Sequence, residues 1–217
     1  NKQAQLFVFA IYYTDIHLRD RKKAIHYLLL SSQNNDPQAN TILGILYSKG
    51  KYFEKNINNA IHCYKEASNY GNSMAKNNLG VIYLKGIGVQ NNVSLAIEYF
   101  KEAIQINNDI LSIYNLARIY YFGIDCVKNV PKSIQLLKKI IDRNFLPTEV
   151  FLFLILDFDE EYKNLKEAQE CRCLIFKKYS FDILLYYTFF KKWKESFNVI
   201  KNSDLEYMMS GKHVQIL

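Results

Sequence analysis

Proline and glycine are scarce in this chain, at 3 and 8 of 217 residues. So few turn formers, with few clean hairpin signals, argue against a sheet protein and favour helices. Cysteine is scarce too. Cys63, Cys126, Cys171 and Cys173 keep no regular spacing, and Cys171 and Cys173, one residue apart, make no zinc knuckle by themselves. Reduced thiols in a cytoplasmic protein are the expectation. No signal peptide is seen, and the apolar run Val150–Leu156 is far too short to span a bilayer. The first residue is Asn1 and not methionine, so a piece of a longer protein is expected, with room for a catalytic neighbour outside it.

Apolar and aromatic residues are plentiful. The chain is 49% hydrophobic and holds 17 Tyr and 14 Phe, which suits a globular core and excludes a disordered segment. The net charge is +7. Basic clusters stand at Arg19–Lys23, Lys138–Lys139, Lys177–Lys178 and Lys191–Lys194. They read first as a solvated lysine-rich surface, and second as a nucleic-acid or acidic-membrane face.

The organising feature is a repeat. An Asn or Asp stands four residues before a small residue at Asp20/Ala24, Asn56/Ala60, Asn92/Ala96, Asn129/Ser133 and Asn164/Ala168. Successive gaps between the polar residues are 36, 36, 37 and 35. Asn and Asp are preferred helix N-caps, because the side-chain oxygen accepts a free first-turn N–H, at about 1 kcal/mol each. Pro131 follows Asn129 inside the first turn, where its missing N–H costs nothing. Upstream of each cap runs another helical pattern: Phe9-Ala10 with Tyr13, Leu43-Gly44 with Tyr47, Leu79-Gly80 with Tyr83, and Leu116-Ala117 with Tyr120. The large residue and the Tyr four positions on share a face and are expected in the core. The small residue lets the partner helix approach. Gly50, Gly86, Gly88 and Gly123 mark the turns.

Second helices are predicted at Arg21–Ser32, Ile57–Asn69, Val93–Ile106, Pro131–Asp142 and Leu165–Lys178. Their inner faces read Ala24/Tyr27/Leu28, Ala60/Cys63/Tyr64/Ala67, Ala96/Tyr99/Phe100/Ala103 and Ser133/Leu136/Leu137/Ile140, a helical period and not a strand period. Beyond Phe145 the pattern weakens. A helix is expected over Thr148–Asp157, then a last degenerate pair over Phe181–Phe190 and Lys194–Asn202, and a short tail. The whole is expected to be one α-solenoid domain over residues 1–217. It has a divergent first repeat over 1–35, clear repeats over 36–144, and degenerate repeats with a cap over 145–217.

The pattern A-x-x-x-L-G-x-x-Y-x-x-G-x-G-V followed by N/D-x-x-x-A-x-x-Y-[YF]-x-x-A, matched at nearly every position by Ala75–Ala103, resembles the sel-one-like repeats, relatives of the tetratricopeptide repeat. The resemblance implies an all-α fold, a right-handed α/α superhelix of about five to six helix-turn-helix repeats. It implies a scaffold that holds protein partners or extended peptides, without catalysis and without a cofactor. A secreted bacterial branch staples each repeat with a disulfide, and the cysteines here do not follow that arrangement. The tetratricopeptide likeness further implies that first helices line a concave groove. The binding candidates there are Thr41, Ile45 and Lys49, then Asn77, Asn78, Val81 and Lys85, then Tyr114, Asn115, Arg118 and Tyr121, with Phe122 beside them. Asn78 and Asn115 are candidate ligands for a peptide backbone, since an amide both donates and accepts. Alternatively they bond between repeats. Lys49, Lys85 and Arg118 favour a partner of acidic character, and the aromatics supply anchors.

Catalytic constellations are missing. His26 and His62 occupy one repeat position in different repeats, with no carboxylate at ligand spacing. His17 and His213 stand alone. Asp157, Asp159, Glu160 and Glu161 lack the spacing of a calcium loop. Gly86-Ile87-Gly88 follows no strand and precedes no Gly-Lys-Ser/Thr, so it is not a phosphate loop. The expectation is a non-catalytic protein-binding scaffold or adaptor with no metal site. The rivals are a docking or regulatory segment of a larger signalling enzyme such as a protein kinase, and a basic RNA-binding surface. Nucleic acid is disfavoured because the aromatics recur at core spacing.

Overall fold

Seven helices stack in sequence order in the computed structural model, which describes residues 20–143 and, beyond them, Phe145, Thr148, Phe151, Leu152 and Ile155. They are α1 (Arg21–Gln33), α2 (Pro37–Lys49), α3 (Ile57–Asn69), α4 (Ser73–Lys85), α5 (Val93–Asn107), α6 (Ile110–Phe122) and α7 (Val130–Lys138), followed by a 3₁₀ turn, Ile141–Arg143. No strand occurs among the described residues. The chain divides into two compact units, Asn1–Leu152 and Phe153–Leu217, and all seven helices lie in the first. Each helix packs on its neighbours in sequence, most extensively within the pairs α2/α3, α4/α5 and α6/α7. Each pair is one repeat, and α1 is the second helix of the repeat before them.

Caps set the boundaries. The carboxylate of Asp20 accepts from the amides of Lys22 and Lys23, both at 3.1 Å. Asn56, Asn92 and Asn129 accept from Asn59, Leu95 and Lys132 at 3.0, 2.9 and 3.0 Å. The first helices are capped as well. Asp36 accepts from Gln38 and Ala39, Asn72 from Ala75, and Asp109 from Ser112 at 2.8 Å. Every described helix thus begins on an Asn or Asp.

The turn inside each repeat is built twice over. Gly50, Gly86 and Gly123 end the first helices in the left-handed region, at φ 66°, 65° and 64°. The amide one residue on then reaches back to a helix carbonyl: Lys51 to Leu46, Ile87 to Ile82, Ile124 to Ile119. Glycine carries no Cβ penalty there. Next, the amide of the following cap closes the loop on the recurrent tyrosine. Asn56 N–H donates to Tyr47 O at 3.0 Å, Asn92 to Tyr83 at 2.9 Å, and Asn129 to Tyr120 at 2.7 Å. Two residues after each turn glycine the chain again has positive φ, at Tyr52 (71°), Gly88 (68°) and Asp125 (46°). The backbone shape therefore persists where the glycine does not.

The core follows the small-residue rule. Leu43, Leu79 and Leu116 are buried, as are Ala24, Ala60, Ala96 and Ser133 opposite them in the pattern. A Cβ on Gly44 would stand 2.5 Å from the Tyr64 ring, and one on Gly80 would stand 2.6 Å from the Phe100 ring. Those two glycines exist to receive aromatic rings. The third repeat holds Ala117 and Leu137 at the same positions, both fully buried: a larger small residue with a smaller large one.

Three expectations change. The recurrent tyrosines are half-buried and not core. Tyr47 stacks on Phe53 at 4.6 Å, Tyr83 on Tyr99 at 5.7 Å, and Lys132 Nζ lies 4.5 Å over Tyr120. Each ring packs on a neighbour of its own repeat and covers the edge of the helix pair. The seventh helix ends at Lys138 and not at Asp142. With no glycine or asparagine to take a left-handed cap, the chain tightens, Ile140 N bonding Leu137 O and Arg143 N bonding Ile140 O. The first helices bear caps that the second-helix pattern had not revealed. Thr148, Phe151 and Leu152 are helical within the segment expected to be a helix. The unit around Phe9, Ala10 and Tyr13, the cap at Asn164, and the segments Leu165–Lys178, Phe181–Phe190 and Lys194–Asn202 lie outside the described residues.

Candidate functional site

The candidate residues stand on α2, α4 and α6 at matching positions one repeat apart. One row is Thr41, Asn77 and Tyr114. The next is Ile45, Val81 and Arg118. The third is Lys49, Lys85 and Phe122. Thr41, Asn77 and Arg118 are buried, Lys49 and Phe122 are exposed, and Ile45, Asn78, Val81, Lys85, Tyr114, Asn115 and Tyr121 are half-buried.

The first row is engaged inside the chain. Thr41 Oγ1 donates to Pro37 O, one turn back, at 2.7 Å. Asn77 Oδ1 accepts from Ser112 Oγ at 3.2 Å and from Asn115 Nδ2 at 3.1 Å. Asn77 and Asn115 are thus brought together as a stitch between successive first helices. Ser112, fully buried, completes it and carried no signal in the sequence. Asn72 repeats the theme one unit earlier, its Nδ2 donating to Pro37 O at 3.5 Å.

The aromatic end is an assembled cluster. Tyr114 meets Phe145 and Phe151 edge-on at 5.6 and 5.8 Å. Tyr121 meets Phe151 at 5.3 Å, and Phe122 stacks on it at 6.1 Å. Phe151 is therefore wedged against both ends of the aromatic face of α6. Arg118 lies between those ends, with its guanidinium carbon 5.8 Å from the Tyr114 ring centre. Burial pushes the Tyr114 phenol up and lowers the Arg118 guanidinium, each partly offset by the other. Phe145 and Phe151 were missed as site neighbours because they stand where the periodicity fades.

His26 and His62 are exposed, in different repeats. Among the described residues no three His, Cys, Asp or Glu side chains could share a metal ion. Cys63 and Cys126 are free thiols, and burial raises the Cys63 thiol, so it is a poor nucleophile. No described helix is long and apolar enough to cross a membrane.

Paired helices at this spacing, glycine-turned and capped in register, define an all-α helical-repeat protein. The chain belongs to the Sel1 repeat family, whose model matches residues 2–36, 37–72, 73–108 and 110–145. Its fold resembles that of a Sel1 repeat protein from Oxalobacter formigenes, with a TM-score of 0.71, 23% identity, and 82% of this chain and 74% of that one covered. It also resembles a protective antigen of uropathogenic Escherichia coli with an SLR fold, at a TM-score of 0.63 and 23% identity over 72% of this chain and 34% of that one. In sequence it is 36% identical over 63 residues to DAP3-binding cell death enhancer 1 of Rattus norvegicus and of Mus musculus. That match covers 29% of this chain and only 12% of those relatives. Sel1 repeat proteins generally mediate protein–protein interaction, and the fold is typically a non-catalytic scaffold.

Proposed function

We propose that this chain is a non-catalytic, cytoplasmic protein-binding scaffold that receives an extended segment of a partner protein on the face formed by α2, α4 and α6. One observation carries the reading. Positions that build the fold keep their residue type from repeat to repeat, as Leu43, Leu79 and Leu116 do. The rows beside them do not: Thr, Asn and Tyr in one, Ile, Val and Arg in the next, Lys, Lys and Phe in the third. The fold engages Thr41 and Asn77 of the first row internally, but it needs no given residue in the second and third rows and leaves those positions to recognition. The relative whose name records DAP3 binding supports a protein partner, and the free thiols support a reducing compartment.

The test is site-specific photo-crosslinking in cells. A photoreactive residue replaces Ile45 or Val81 on the first helices, or His62 or Lys101, both exposed, on the second helices. Adducts from positions 45 and 81 are expected, with few from 62 and 101. Adducts only from 62 and 101 would move the site to the opposite helices.

A further inference from the structure

Arg118 is a buried cation of the candidate face with no counter-charge among the described residues. It is 7% exposed, yet among the described residues it makes no ion pair and no hydrogen bond. Its recorded neighbour is the Tyr114 ring. A ring face compensates a cation only in part, and an arginine buried without a carboxylate is costly. The fold does not demand it. The same position holds Ile45 in one repeat and Val81 in the next, so an aliphatic side chain satisfies the packing. Nor is the charge sealed in. The unpartnered side-chain atoms closed off from solvent among the described residues are Ser133 Oγ and Thr148 Oγ1. The Arg118 nitrogens are not among them and keep a path to the surface.

We propose that Arg118 is the seat for a single carboxylate of the bound partner, a glutamate, an aspartate or a chain terminus, gripped by the guanidinium fork. This rests on the first-helix face being the binding face. Three features argue for that occupant. The planar fork matches a carboxylate with two parallel N–H···O bonds. One positive charge balances one negative charge, whereas a phosphate would bring nearly two into an aromatic surround. Tyr114 and Tyr121, both set against Phe151, flank Arg118 along α6 and leave it only 7% exposed, a low-dielectric surround that strengthens a pair.

The experiment uses the full chain and two fluorescein-labelled hexapeptides. One alternates leucine and glutamate. The other alternates leucine and glutamine and is amidated at its C-terminus. Fluorescence anisotropy is expected to show the glutamate peptide binding at least about tenfold more tightly, as one charge-assisted bidentate pair allows. Arg118→Met is expected to abolish that preference, while Lys101→Gln, at an exposed position on a second helix, changes it by about twofold or less. Arg118→Met is also expected to raise Tm by about 2–4 °C, because it removes an uncompensated buried charge. A fall in Tm would show the guanidinium already paired within the chain and would overturn the proposal. Equal binding of both peptides, binding of neither, or tighter binding of a phosphoserine analogue would overturn it too. If the glutamate peptide fails while photo-crosslinks still map to positions 45 and 81, the carboxylate seat falls and the binding face stands. Crosslinks only from the second helices would remove both.

Discussion

Asn115 donates its side-chain amide to Asn77 Oδ1 at 3.1 Å, across the boundary between two repeats. The same oxygen also takes the hydroxyl of Ser112, which has no exposure. Asn77→Ala therefore strands a buried donor, whereas Asn115→Ala removes a half-buried one and leaves Ser112 bonded. Asn77→Ala is expected to cost about 1–3 kcal/mol and Asn115→Ala about 0.5–1.5, read by urea denaturation. Equal losses would mean that Ser112 does not depend on Asn77.

The pairing of small and large residues gives a prediction that changes sign. Gly80→Ala gains about 1 kcal/mol of helix propensity but drives a methyl into the Phe100 ring, an overpacking cost of about 1–3 kcal/mol. The single variant is expected to lose stability. In a Phe100→Leu background the ring is gone, and the pair becomes the Ala–Leu combination found at Ala117 and Leu137. There Gly80→Ala is expected to be neutral or stabilising. A double-mutant cycle measures the coupling, and simple additivity would show that the ring does not set the requirement for glycine.

Ser133 has the burial of Ala24, Ala60 and Ala96 but carries a hydroxyl with no hydrogen-bond partner among the described residues. Ser133→Ala restores the residue of the other repeats and is expected to stabilise the chain by about 1 kcal/mol, seen as a higher Tm. A lower Tm would reveal a hydrogen bond for Ser133.

Burial pushes the Tyr64 phenol up to about 12, against a smaller opposing hydrogen bond with Ser48. In the unfolded chain the group titrates near its ordinary value of about 10. Between these values the unfolded state loses the proton first, so stability falls as pH rises from about 10 to 12, by roughly 2–3 kcal/mol from this group. Below pH 10 the group adds no pH dependence. Tyr64→Phe, which copies Phe100 over Gly80, is expected to flatten that alkaline slope in denaturation titrations. An unchanged slope would assign the loss to other groups.

Much of the fold was legible because caps and small residues are short-range requirements. Asp20, Asn56, Asn92 and Asn129 declare themselves by spacing alone, and Gly44 and Gly80 by standing in a helix where glycine is otherwise costly. Asp36, Asn72 and Asp109 recur at 36 and 37 residues but do not stand four residues before a small residue, so the same pattern did not pick them out. The position of Tyr47, Tyr83 and Tyr120 was less so, since periodicity gives a face but not a depth. The candidate site was legible as rows of variable residues. Their couplings were not, because Asn77 with Asn115 and Tyr114 with Phe151 are contacts between separate helices, set by how repeats stack.

The cap-to-tyrosine bonds Asn56–Tyr47, Asn92–Tyr83 and Asn129–Tyr120 also bear on how the array yields under tension. Each closes a loop within its own repeat, and the helices lean mainly on sequence neighbours. A pull along the chain therefore meets a series of similar local latches. Extension by optical tweezers should release slack in steps of one repeat, about 120–130 Å of extended backbone each. The repeat is thus a mechanical quantum as well as a structural one.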